Sequence, residues 1–353
     1  MSRTINGRLA YADLLRAMSA ISVIVLHLAG SQLAAVPVDS RSFTVLNLYD
    51  ALVRWCVPVF LMLSGAFLLD PKKSERLSRL FFRMLRIFVA LVFWAAVYAL
   101  ANHVATGGSL SLAGFRQALW NAVLGSTHYH LWFLYTILGL YLVTPILRAF
   151  VRGASRIDFH YFFLLTFLLV SLLPLLLRLR PSQTVSLYLN RLDIHLVLGY
   201  VGYYVAGYYL KTYTLSRLAE AIIYVLGVFG GVATVCGTRS LSLAQDSFND
   251  LLYGYTTPNV VFMAVAVFVL FRYVLGISEE RNRKQRMAGV ARISFGIYLV
   301  HDLFIMLLRA LDITVLSFSP ALAVPLLAAV VFLLSFAVAW LLSKIPFVGP
   351  YLT

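Results

Sequence analysis

Arg16 and His27 stand eleven residues apart in a stretch that is otherwise almost wholly apolar, opened by Tyr11-Ala-Asp13. At 3.6 residues per turn, eleven residues make almost three turns. Both side chains therefore fall on one helix face, separated by about 16 Å of rise. Ionisable groups inside a bilayer are costly and mark functional positions by default. A neutral imidazole can take a proton from a hydroxyl and pass it on. Arg16 cannot act as a base; it can only attract or orient an anion or a carbonyl. Asp13, three residues before Arg16, can pair with it. The plainer reading makes Asp13–Arg16 a buried brace and His27 an interhelical hydrogen-bonding residue. Two ionisable positions aligned on one span favour chemistry, with His27, Arg16 and Asp13 as candidate catalytic residues.

Further along, Arg83-Met-Leu-Arg86 follows a basic cluster of Lys72, Lys73, Arg76 and Arg79. The shallow members satisfy membrane topology. Arg83 and Arg86 lie deeper, and arginine binds phosphate through a planar fork of donors. His128-Tyr-His130-Leu-Trp132 opens another apolar run, and Asp50 and Arg54 stand one turn apart at the end of a third. Tyr129 reads as an interfacial anchor, and Trp132 reads equally as an anchor or as a platform for a sugar face. His130, Trp132 and Arg54 are candidate substrate contacts. His301-Asp302 falls in mid-membrane, where a structural polar contact is the stronger reading, although His301 remains a candidate. His103, His160 and His195 sit at span ends within reach of water. The run from Glu279 to Arg286 reads as a solvated loop that could help hold an anionic cofactor.

Such residues need a scaffold, and composition names its solvent. Of 353 residues, 61% are hydrophobic and 12% charged, against roughly 25% charged in soluble domains. Mean hydropathy is +0.87. The expected fold is all-α, a polytopic bundle of about ten membrane helices near 9–33, 49–69, 80–103, 130–150, 159–178, 194–211, 218–236, 257–275, 293–311 and 319–343. Strands of a barrel would alternate in short segments instead. The net charge of +15 would suggest nucleic acid in a soluble protein. Here the basic residues cluster between apolar runs, so no nucleic-acid partner is expected. With the amino terminus inside, inner segments hold 20 Lys and Arg against 8 outside, with Arg16 within the first span. That asymmetry predicts both termini in the cytoplasm. The first apolar stretch is long and interrupted by Asp13 and Arg16, so it reads as a retained span and not a cleaved leader. Cys56 and Cys236 form neither a disulfide framework nor a metal cluster, and no metal is expected. The longest gaps, 104–129 and 237–256, face outside and could shape a substrate mouth. The whole chain, 1–353, reads as a single membrane domain with no extra soluble one.

Taken in order, these segments resemble the acyltransferase-3 family of membrane acyltransferases. Arg16 with His27 is similar to its arginine–ten residues–histidine signature. The stretch Arg54-Trp-Cys-Val-Pro58 through Ser64-Gly65 resembles its second-span motif, and Arg83-Met-Leu-Arg86 its Arg-x-x-Arg motif. His130-Leu-Trp132 and Tyr141-Leu-Val-Thr-Pro145 resemble its fourth span, and Ser294-Phe-Gly-Ile-Tyr298-Leu-Val-His301 its ninth. The resemblance implies ten spans in a bacterial inner membrane and an acyl-CoA donor bound from the cytoplasm. It also implies O-acylation of a lipid-linked or surface carbohydrate. The short form without an extra domain looks most like the polysaccharide O-acetyltransferases, with acetyl-CoA as donor. On this reading Arg83, Arg86 and Arg16 hold the donor, and His27 is base or acyl carrier. The rival is a transporter or flippase of a lipid-linked glycan, which ten spans and buried ionisable residues also suit. No symmetric halves with broken helices argue for it.

Overall fold

A computed structural model describes residues 9–71, 77–109, 111–124, 128–192, 199–275, 286–347 and 349–353. Arg3, Arg8, Lys72, Lys73, Arg76, His195 and most of the 279–286 run lie outside them. The described chain is helical, with no strand. Among the described residues, nine helical stretches are long and apolar enough to cross a membrane. This is a polytopic membrane bundle. Of the ten expected spans, the one at 194–211 falls partly outside the described residues, which resume in a helix at Val201–Thr212.

The first helix, α1 (Ala10–Gly30), is the hub. It packs against α2 (Arg41–Val53), α3 (Cys56–Leu68), α12 (Pro258–Tyr273), α13 (Arg286–Ala310) and α14 (Pro320–Ser343). Its small residues Ala12, Ala17, Ser19, Ala20 and Ser22 are all buried. Close helix approach in lipid depends on such residues, because lipid tails offer no hydrophobic drive between helices. The polar positions of α1 are thus carried into the centre of the bundle.

The span expected at 49–69 is not one straight helix. It breaks at Arg54-Trp55 between α2 and α3. Pro58 supplies the cause: it lacks an N–H, so the Arg54 carbonyl loses its helical partner. Around the hub run α4 (Leu77–Ala105), α5 (Leu112–Val123), α6 (Trp132–Gly153), α7 (Arg156–Thr166) and α8 (Leu173–Leu179). A π turn, Phe167–Leu172, joins α7 to α8 just before Pro174. It lets the span continue where proline removes a donor. The short α9 (Gln183–Leu192) and α10 (Val201–Thr212) follow. Next, α11 (Arg217–Gln245) runs well past the expected end at 236, so the 237–256 gap is largely helix. A final turn, α15 (Gly349–Leu352), folds back on α4 and α14.

Two glycines set the tightest seam. A Cβ on Gly65 of α3 would strike the Tyr204 carbonyl of α10, and one on Gly207 of α10 would strike the Met62 carbonyl of α3. Hydrogen bonds tie other pairs: Tyr98 Oη donates to the Leu299 carbonyl (2.8 Å), joining α4 to α13, and Asn47 Nδ2 to the Val235 carbonyl (2.9 Å), joining α2 to α11.

Candidate active site

At one level of the bundle, α1, α13 and the start of α6 deliver four imidazoles to one place. The His27 ring stacks on His301 with centroids 5.2 Å apart, His301 lies 5.3 Å from His130, and His130 lies 5.1 Å from His128. His27 and His130 are 6.4 Å apart. His130, His301 and Asp302 are buried, whereas His27 and His128 are half-buried.

Hydrogen bonds assign the rings distinct roles. His301 Nδ1 faces the Tyr298 carbonyl at 2.6 Å. A carbonyl only accepts, so Nδ1 carries the proton and Nε2 of the neutral ring keeps its lone pair. Among the described residues, that Nε2 has no hydrogen-bond partner, nor has either nitrogen of His130. His128 is fully engaged: Nε2 meets Asp302 Oδ2, and Nδ1 meets Asn102 Nδ2 at 3.2 Å. Asp302 also accepts from Tyr129 Oη through Oδ1 (2.8 Å). Its two oxygens hold two groups in place, as a carboxylate orients an imidazole in hydrolytic triads. Tyr98 stacks on His128 (4.4 Å, 6°) from α4. Open nitrogens therefore belong to His301 and His130, framed by His128, Asp302 and Tyr98.

His128, His130 and Asp302 bring one donor atom each within 4.8 Å of one another, the spacing of a possible metal triad. The direct His128–Asp302 bond already uses a donor from each. A metal there would have to replace it.

Next to the cluster, across Tyr298, lies a cavity of about 550 Å³. Arg16, Arg83 and Arg86 line it, with Ser64, Tyr141 and Ser294. Phe60, Phe133 and Tyr298 line it as well, with Phe133 packed on Tyr298 at 5.4 Å and Phe60 on Phe133 at 6.1 Å. Tyr298 belongs to both sides: its ring is 5.6 Å from His130 and 5.8 Å from His301, and its hydroxyl donates to the His130 carbonyl. The ion pair of Arg16 with Asp13 is long, 4.0 Å, and Arg16 also lies over the Phe67 ring at 5.3 Å. Arg86 Nη2 donates to the Thr353 carbonyl, so the last turn of the chain rests against this cavity.

The expected site residues thus divide in two. Arg16, Arg83 and Arg86 share the cavity, with Asp13 beside Arg16. His27, His130 and His301 share the cluster. Arg54 and Trp132 join neither. Arg54 pairs with buried Asp50 at 2.6 Å and lies 4.1 Å over the Tyr253 ring. Trp132 stacks on Tyr255 (5.6 Å) and packs on Tyr200 (5.5 Å). Together they form an aromatic wall next to the cluster, and Trp132 presents no free face toward Tyr255. Asp302 makes the polar contact expected of it, to His128 and Tyr129, and the exposed Tyr129 is tied into the same network. The adjacency His301-Asp302 and the alternation His128-x-His130 were the visible signals, but neither says that the two segments meet.

A family model described as an acyltransferase domain matches residues 9–344. No curated protein and no solved structure matches the chain. With nearly its whole length matched by that model, this chain belongs to the acyltransferase-3 family of membrane acyltransferases.

Proposed function

We propose that this acyltransferase is an O-acetyltransferase that uses acetyl-CoA. It moves the acetyl group to a hydroxyl of a lipid-linked or surface carbohydrate, across a bacterial inner membrane with both termini in the cytoplasm. One observation carries the reading: Tyr298 lines an arginine-lined cavity, and its ring lies 5.6 Å from His130 and 5.8 Å from His301 of the imidazole cluster. The cavity suits an anionic donor. Arg83 and Arg86 meet its phosphates with planar donor forks, and Arg16 lies further in. The thin pantetheine arm passes Tyr298 and brings the thioester to His27.

The transfer balances simply. His27 takes the proton of the sugar hydroxyl as its oxygen attacks the thioester carbonyl. The carbon–sulfur bond breaks, and the departing CoA thiolate receives the proton from the imidazolium. In the covalent variant His27 itself attacks, and the hydroxyl then displaces it from the acyl-imidazole. Asp302 and His128 hold the surrounding frame and do not themselves need to titrate. Family membership favours this chemistry over glycan transport.

The test is transfer of label from acetyl-CoA to a candidate glycan by the purified protein in lipid. His27→Ala should lower the rate by about 10² to 10⁴ while the protein stays in the membrane. Near-normal turnover by that variant would remove His27 from the mechanism.

A further inference from the structure

A second cavity, of about 540 Å³, lies away from the imidazoles between α7, α10, α11 and α12. Its walls are apolar: Phe163, Phe167, Ile223, Leu226, Phe262 and Val265. Small residues Gly202 and Ala206 of α10 hollow its floor. Arg156 and His160 line one end with Ser216, while Thr166, Ser171 and Thr256 line the cavity further along. Along α7 and the π turn it runs from Arg156 to Ser171. At 1.5 Å per residue that is about 22 Å, more than one leaflet's half of the roughly 30 Å hydrocarbon core.

Arg156 lies 4.9 Å over the Tyr213 ring, and His160 Nε2 shares a hydrogen bond with Tyr209 Oη at 2.9 Å. Asp158, two residues on, is turned to the helix cap, where its carboxylate accepts from the Ser155 backbone and hydroxyl at 2.7 and 2.8 Å. An apolar slot one leaflet deep that ends in a guanidinium, an imidazole and a hydroxyl matches one amphiphile: a long chain with an anionic head. It lies at the same end of the bundle as Arg148, which donates to the Leu68 carbonyl, and as the Lys211–Asp70 pair.

We infer that this groove is a binding site for an anionic diacyl phospholipid. The phosphate rests at Arg156 and His160, and one acyl chain lies along Phe163, Ala206 and Val265. The inference is independent of the transfer reaction. A zwitterionic phospholipid fits the slot and brings the same phosphate, but its cationic head group offsets the attraction at the charged end. A basic residue at a membrane surface contributes about 1 kcal/mol toward an anionic lipid, a preference of about fivefold.

Electron spin resonance of the full chain in nanodiscs tests this, with spin-labelled phosphatidylglycerol or phosphatidylcholine as probe. The motionally restricted fraction should favour phosphatidylglycerol by about fivefold, and 1 M salt should weaken the preference. Arg156→Gln with His160→Gln should bring the two lipids level. Ala206→Phe, which fills the slot, should lower the restricted fraction of both. Equal retention of both lipids by the unaltered protein would overturn the proposal. So would a preference that survives Arg156→Gln with His160→Gln, because the charged head would then lie elsewhere.

Discussion

His301 shows how a single contact fixes chemical character. Its Nδ1–H is committed to the Tyr298 carbonyl at 2.6 Å, so the buried ring can offer only Nε2. His128 is the opposite case, with both nitrogens committed. The difference makes Asp302 a positioning residue. Asp302→Asn should lower kcat by on the order of tenfold or more, with the KM for the donor little changed, because the frame loosens while the arginine cavity stays intact. A variant that raises only KM would detach Asp302 from the cluster. In the cavity the expectation reverses. Arg83→Ala should raise the KM for acetyl-CoA with kcat little affected, since lost ground-state binding shows there. A short thioester lacking the nucleotide serves as control, and an equal loss with that donor would mean Arg83 does not contact phosphate. Arg86 gives a weaker test of the same point, because its bond to the Thr353 carbonyl gives it a packing role as well.

Helices here are shaped by a few residues that interrupt or narrow them. Pro58 ends α2 early and leaves Arg54 at a break, half-buried against Asp50 and Tyr253. Pro174 is met by a π turn in place of a break. The α3–α10 seam depends on Gly65 and Gly207, where an added Cβ would meet backbone that cannot swing aside. Gly207→Ala should therefore destabilise the protein by roughly the 1–3 kcal/mol typical of overpacking, read as a lower Tm in detergent. Gly231→Ala is the matched control. It is also a buried helical glycine, but its new methyl would find only Leu52 Cδ2, at 3.7 Å. Equal losses from both substitutions would show that helix propensity, and not backbone contact, governs the seam.

At the scale of the molecule, the bundle has two unlike ends. The end bearing Arg83, Arg86, Arg148 and Arg156 holds the arginine-lined cavity and the charged mouth of the apolar groove. The imidazoles lie next to that cavity, across Tyr298. Placing the basic end in the cytoplasm follows the excess of 20 over 8 Lys and Arg. Reporter fusions after Thr353 and within the 107–128 segment should then report opposite sides. The same side for both would break this topology, and with it the delivery of a cytoplasmic donor to an outer acceptor.

Solvent class and helical fold were legible in the chain itself. Charge is too scarce for a water-facing surface, and apolar runs of membrane length recur with basic residues between them. Those are local quantities, summed along the chain. The α1 pattern was legible for the same reason: helical periodicity relates Arg16 to His27 without knowledge of any neighbour. The partners of His27 were not, because His128, His130 and His301 come from other helices, and packing between helices has no period in sequence. Asp302 could not be separated from a lone polar contact until α13 met the start of α6. Nor could Arg54 and Trp132 be assigned to a wall beside the cluster before Tyr253 and Tyr255 were placed on them. Pro58 and Pro174 were visible as prolines, but whether each kinks, ends or bulges its helix depended on what packs around it. Folding decided which side chains face one another, because only three-dimensional contact satisfies buried donors and acceptors that the membrane leaves without water.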